Sequence, residues 1–332
     1  MPTGHGLKGE IARALAFRVN DFREIVGGDA TIREAIYRLA QRPNSIGNVD
    51  DYIRTARHIH DAMPQAPSID NFVDSHRGNQ KIAECGKLAI ASQILKAERA
   101  SKLFVDPSNV NNKIKFESVE DTWFQAFFDL MARNSQFEQL SRRFGRVAVV
   151  SFNYDRTLEH FLHQSIQNFY GSSPEDATHA LTSLVVLHPY GKVGDLPWQS
   201  PNGETVPYGA ELQPTALLQV ASSLRTFPEG TDPSGNQIAE IRFEISSAET
   251  LVFLGFAYHE LNLDVLFSND REVPIEYSKR VLGTAKWLSV SNTEVITREL
   301  AAMGRIDQSQ INLERELTAA ELLRHFSKSL TI

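Results

Sequence analysis

Three short segments place a carboxamide, an imidazole and a bare stretch of backbone just after runs of apolar residues. Ser151-Phe152-Asn153-Tyr154-Asp155 is the first. The Asn amide donates and accepts at once, and the Asp carboxylate can accept from sugar hydroxyls or cap a helix that starts beside it. Taken alone, Asn153 and Asp155 fit a turn and a helix cap equally well. The second segment, Leu187-His188-Pro189-Tyr190-Gly191, carries a side chain whose ordinary pKa lies near neutrality, the natural base for proton transfer. The third, Leu254-Gly255-Phe256-Ala257-Tyr258, has a glycine that lets backbone approach a ligand closely. In a parallel α/β sheet the carboxyl ends of the strands are where ligands bind. All three segments fall at such ends, and their agreement predicts a nucleotide site.

Other constellations read as structure. Gly4-His5-Gly6-Leu7-Lys8-Gly9 spells a dinucleotide-binding pattern, but no strand can precede it, so a helix N-terminal turn is expected. Gly86-Lys87 and Gly191-Lys192 lack the remaining residues of a phosphate loop. His58 with His60, and His160 with His163, have no acidic or thiol partner at a recognised ligand spacing and read as helix histidines. Cys85 is the only cysteine, which excludes a disulfide framework and a four-thiolate zinc site within one chain. No metal is expected.

The elements that must hold the three segments follow from periodicity. Runs at 147–152, 183–188, 251–256 and, more weakly, 279–283 are nearly continuous in apolar residues, as in strands buried on both faces. Between the first two, Leu158, Phe161, Leu162, Ile166 and Phe169 recur at helical spacing, so strands alternate with helices as in a parallel sheet. The chain before residue 145 is mostly helical: 7–39 with a break at Gly27-Gly28-Asp29, 49–63, 86–104 and 120–140. Residues 105–118 read as a polar loop, 197–235 as irregular and 313–326 as a closing helix. The expected fold is α/β, a Rossmann-like parallel sheet with a mainly helical N-terminal insertion. Residues 1–30 and 145–332 form the sheet domain, and 31–144 the insertion.

Composition narrows the class. Of 332 residues, 42% are hydrophobic and 23% charged, as in a globular domain able to bury its own core. The formal charge of −7 disfavours general attraction to nucleic acid or an anionic membrane. It is unevenly placed, +3 over the first 150 residues and −10 over the remainder. No run approaches the length of a membrane span and no signal-peptide core is visible, so a cytoplasmic protein is expected.

With these motifs in view, the chain resembles the sirtuin-like family, in its bacterial branch of NAD-hydrolysing defence domains. The resemblance rests on Ser-Phe-Asn-Tyr-Asp at 151–155, Leu-His-Pro-Tyr-Gly at 187–191, Leu-Gly-Phe-Ala-Tyr at 254–258 and Gly-Thr-Ala at 283–285, in the family's order and across most of 145–290. Helical stretches at 91–104 and 122–130 look like that branch's insertion. The resemblance implies cleavage of NAD, as substrate, to nicotinamide and ADP-ribose. Asn153 would position the ribose or the attacking water, and His188 would act as base toward a ribose hydroxyl. Phe152, Tyr154, Asp155, Gly255, Phe256 and Ala257 would line the nucleotide path, with Gly283 and Thr284 toward the adenine end.

The resemblance also implies anti-phage defence, held off until triggered by a sensor acting in trans or by homo-oligomer formation. Sirtuin deacylases hold zinc through paired cysteines, which one cysteine cannot supply, so hydrolysis is expected over deacylation. The family's opening strand and Gly-Ala-Gly-Ala-Ser-like loop have no counterpart before Met1-Pro2-Thr3-Gly4, which predicts weak NAD binding and poor solubility. A non-catalytic nucleotide-sensing or protein-interaction module on the same fold is the alternative.

Overall fold

Short polar side chains set where most of the helices begin. In the computed structural model, which describes residues 4–106, 108–109, 112–226, 236–267 and 279–330, the chain opens with α1 (Gly4–Ala14), β1 (Phe17–Val19) and β2 (Ile25–Gly27). There follow α2 (Ala30–Ala40), α3 (Val49–Ala62), α4 (Ile69–Ser75), α5 (Gln80–Arg99), α6 (Trp123–Ala132) and α7 (Leu140–Phe144). Then come β3 (Ala148–Val150), α8 (Thr157–Tyr170), α9 (Pro174–Leu181), β4 (Val185–Leu187), α10 (Pro214–Ser223) and α11 (Asn236–Ser247). The described chain closes with β5 (Thr250–Phe253), α12 (Glu260–Leu266), β6 (Arg280–Thr284), α13 (Val290–Gly304), β7 (Ile311–Glu314) and α14 (Ala319–His325). Asp29, Asn48, Ser68, Asn79, Thr122, Ser173, Ser289 and Thr318 each accept a first-turn N–H of the helix that follows, satisfying donors that would otherwise be orphaned.

The chain is a mixed α/β protein, mostly helical, with small parallel sheets, and it divides into two compact units. The first comprises Met1–Ile114, Asn153–His160 and Tyr190–Gly230. Its centre is α5, which packs against α1, α2, α3, α4 and α10 and buries Ile82, Leu88, Ile90, Ile94 and Leu95. Glu98, in the last turn of α5, is fully buried against Arg156, each side chain 0% exposed. Arg156 meets Glu98 through Nε and Nη2 and also donates to the carbonyls of Gly194, Val206 and Pro207. Glu98 further accepts the backbone N–H groups of Arg156 and Gly209. Gly209 has φ +66°, and a Cβ there would stand 2.7 Å from the Arg99 Cα, so the chain can approach α5 this closely only as glycine.

The second unit comprises Lys115–Phe152, Phe161–Pro189 and Thr231–Ile332. It holds β3 parallel to β4, and a three-stranded parallel sheet in the order β5-β6-β7. Phe253, Leu251, Val281, Leu263 and Leu300 form a core that Leu187 of β4 joins, with Val150 and Phe152 packed against it. The four apolar runs read from the sequence all contain strands, although β3 and β4 are largely half-buried, β5 alternates between half-buried and buried positions, and only β6 is buried along nearly its whole length.

Several elements differ from the periodicity reading. The expected first helix stops at Ala14, and 17–27 form an antiparallel hairpin instead. The Asn20 carboxamide accepts the N–H groups of Phe22 and Glu24, and that local turn competes with the helix. The 120–140 helix ends at Ala132, where Asn134 takes a left-handed conformation and the Arg143 guanidinium caps the carbonyls of Leu130, Met131 and Arg133. Residues 311–314 are a strand rather than the start of the closing helix, which begins only after the Thr318 cap. Within 197–235, α10 is an added helix, and 227–235 lie outside the described residues, as do Met1, Pro2 and Thr3 of the opening motif. Gly4 to Gly9 lie inside α1. Among the described residues no helix is long and apolar enough to cross a membrane.

Removing one partner of the buried pair leaves an uncompensated charge in the interior. Glu98→Ala and Arg156→Ala are each expected to destabilise the chain by about 3–5 kcal/mol, whereas Glu98→Leu combined with Arg156→Met should lose less than either. Urea denaturation of the three variants checks this, and a double variant as unstable as the sum of the singles would contradict it.

Candidate functional site

The Ser151–Asp155 motif straddles the two units: Phe152 belongs to the second, and Asn153, Tyr154 and Asp155 to the first. In the second unit the chain leaves β3 with the Ser151 N–H donating to the Leu187 carbonyl at 2.8 Å, extending the pairing of β3 with β4. His188 is the next residue on β4's side and is 5% exposed. The carboxyl ends of β3 and β5 meet through their aromatic rings, with Phe152 and Phe256 centroids 5.2 Å apart. Phe256 also contacts Phe253 and stands perpendicular to Tyr258, each at 5.2 Å, so four rings form one apolar cluster.

The loop after β5 is fastened to β6. The Gly255 N–H donates to the Thr284 Oγ1 at 2.8 Å, and the Tyr258 hydroxyl donates to the Thr284 carbonyl at 3.1 Å. Gly255 has φ +60° and an open surface around its Cα, so its requirement is conformational. Gly283 has the opposite reason to be glycine: a Cβ would stand 2.4 Å from the Tyr258 hydroxyl oxygen and 2.7 Å from a Leu313 methyl. Gly255 and Ala257 are exposed, whereas Gly283 and Thr284 are buried. Burial also raises the Tyr258 hydroxyl above its ordinary pKa, which keeps it a neutral donor.

In the first unit the motif's remaining residues are held by named bonds. Tyr154 donates through its hydroxyl to Asp70 at 2.6 Å, and its carbonyl accepts the Val193 N–H at 3.0 Å. Asp155 accepts the Thr157 N–H at 3.0 Å, an Asx-type turn that leads into α8. Asn153 is exposed at the bend before them. Asp70, Tyr154, Lys87, Arg225 and Thr226 line a recess that admits no more than a water-sized group. Burial raises the Asp70 carboxyl above the usual carboxylate range, against the lowering effect of the Tyr154 hydrogen bond. The Tyr190 hydroxyl is raised too, by burial and by the charges of Asp70 and Asp74.

Sequence reading missed Asp70, Glu98 and Arg156, whose partners are supplied by distant parts of the chain. The paired histidines have structural contacts: His60 with the Ala12 carbonyl, His160 with the Leu103 carbonyl and the Tyr208 ring, and His163 with the Pro174 carbonyl. Among the described residues no cluster of three His, Cys, Asp or Glu side chains suits a metal ion.

Two outcomes follow from this geometry. Gly283→Ala should destabilise by about 1–3 kcal/mol through overpacking, and Tyr258→Phe in the same chain should return part of that loss, as measured by a denaturation double-mutant cycle. Asp70 keeps its proton when folded at pH values where the unfolded chain, with an ordinary carboxyl near about 3.9, has released it, so its contribution makes stability fall as pH rises through that window. Asp70→Asn keeps an acceptor for Tyr154 and removes this dependence; denaturation midpoints from about pH 4 to pH 8 should fall less steeply in the variant than in the parent. Compared with known proteins, the chain matches no family model, no curated protein and no solved structure.

Proposed function

We propose that the chain is a sirtuin-like NAD hydrolase that cleaves NAD to nicotinamide and ADP-ribose, acting in anti-phage defence by depleting NAD. In this reading the small parallel sheets belong to a Rossmann-type domain and the helices of 31–144 to an insertion. The observation that carries the proposal is the order of the motif residues along the second unit's parallel strands: Phe152 after β3, His188 after β4, Gly255 to Ala257 after β5, and Gly283 and Thr284 ending β6. Ligands of parallel α/β sheets bind at this edge.

The chemistry suits those residue types. Departure of neutral nicotinamide leaves an electron-poor ribose resembling an oxocarbenium ion. His188 draws a proton from a ribose hydroxyl, and Asn153 orients the attacking water, so both ease the positive charge that develops. The Phe152–Phe256 surface excludes water from one side of the nucleotide, and the exposed backbone of Gly255 and Ala257 offers close approach. A sensor in trans, or assembly of several copies, supplies the trigger.

One observation favours the second reading, a non-catalytic nucleotide-sensing or interaction module. The Tyr154 hydroxyl and the Asp155 carboxylate are engaged by Asp70 and by the start of α8, which leaves fewer of the motif's groups to address a ligand.

Nicotinamide release from NAD decides between them. Purified chain should release nicotinamide, and His188→Ala and Asn153→Ala should each slow release by about 100-fold or more while their melting stays cooperative. Release at an unchanged rate in both variants would remove the assigned site. Saturable ADP-ribose binding with no release selects the sensing module, and neither binding nor release ends the nucleotide reading.

A further inference from the structure

The turn after β6 displays a tryptophan in a conformation that its side chain disfavours. Ala285 donates its N–H to the Glu314 carbonyl at 2.7 Å, the Leu288 N–H closes a four-residue turn on the Ala285 carbonyl at 3.0 Å, and Arg315 Nε braces the Leu288 carbonyl at 3.1 Å. Trp287, third in that turn, has φ +75°, a position that calls for Gly or Asn. The residue is 91% exposed, so core packing does not offset the backbone strain. Among the described residues the other large exposed rings, Phe22, Phe169 and Phe243, sit on the β1–β2 hairpin or on helices rather than at a strand's carboxyl end.

The surroundings of Trp287 are those of a platform. It follows the central strand of β5-β6-β7, on the edge where parallel sheets take ligands. Its base is rigid, because Thr284 is bonded to Gly255 and Tyr258 of the neighbouring loop. The Lys286 ammonium lies 5.8 Å from the ring centroid. That cation disfavours a positively charged ring such as nicotinamide on the indole and favours a neutral base whose phosphate reaches the lysine.

From these observations we infer that Trp287 is a stacking platform for the purine ring of an adenine nucleotide, with Lys286 as its phosphate contact. The inference rests on the nucleotide reading above and adds to it the side chains that hold the base and its phosphate.

AMP is the probe. Trp123 and Trp198 are half-buried, so stacking on Trp287 should quench the exposed part of the intrinsic fluorescence saturably. Equilibrium dialysis with labelled AMP should find binding nearly unchanged in Trp287→Phe and weaker by roughly 5- to 150-fold in Trp287→Ala, the range of one base–aromatic stack. Trp287→Asn suits the left-handed turn, so it should melt no lower than the parent while binding AMP as weakly as Trp287→Ala; a purely structural tryptophan would not separate the two. AMP binding that needs Trp287 in a chain releasing no nicotinamide supports the platform and removes the hydrolase reading alone. Nicotinamide release with a KM unchanged in Trp287→Ala, or AMP bound equally by that variant, overturns the platform. So does an oligomer that Trp287→Ala dissolves and AMP leaves intact, which would make the ring a contact between copies.

Discussion

The first unit is organised by one buried charge pair. Arg156 and Glu98 lie 58 residues apart in sequence and have no exposed side-chain surface, so each would be prohibitively placed without the other. Their neighbours complete the bonding. One Glu98 oxygen takes the Arg156 N–H and Nε, and the other takes Nη2 and the Gly209 N–H. The guanidinium uses its remaining donors on carbonyls of 194, 206 and 207. An irregular stretch that makes little regular secondary structure is thereby tied to the end of α5. Because Arg156 directly follows Asp155, the same pair holds the backbone just after Asn153, Tyr154 and Asp155. An apolar pair could fill the volume, but it would leave those carbonyls and the Gly209 N–H without partners.

The second unit solves a different problem, that of joining loops at a sheet edge. Tyr258 does this from inside: its ring joins the Phe152–Phe256 cluster, its hydroxyl reaches the Thr284 carbonyl, and its bulk requires glycine at 283. Thr284 then holds Gly255 through its side chain. Gly283 and Thr284 are therefore explained by packing whether or not a nucleotide lies beside them. Gly255 differs, since nothing crowds its Cα and only its backbone conformation asks for glycine.

What the sequence made legible follows from the range of each signal. Continuous apolar runs are a local signal, so those around Val149, Val186, Val252 and Leu282 could be read as strands without knowing their partners. Turns are equally local, and the Asp155 carboxylate accepts the N–H of Thr157, the first residue of α8, within such a turn. The hairpin at 17–27 and the four-residue β7 were lost because elements this short carry too few residues to establish a period against neighbouring helices. Glu98, Arg156 and Asp70 could not be found at all. A charged residue on a helix pattern reads as solvated until a partner 58 or 84 positions away is known to face it.

The same distinction bears on which motif residues can do chemistry. A polar group that completes an internal hydrogen-bond set must break it to bind a ligand, and the low-dielectric interior raises the cost of that exchange. Tyr154, whose hydroxyl donates to the Asp70 carboxyl, and Asp155, whose carboxylate accepts the first N–H of α8, both carry that cost. Asn153, Gly255 and Ala257 are exposed, and Trp287 is held outward against its own backbone preference. Internal hydrogen bonds give a reason for Tyr154 and Asp155. Such bonds give no reason for an indole in a left-handed turn at the end of a central parallel strand, and a contact from outside the chain does.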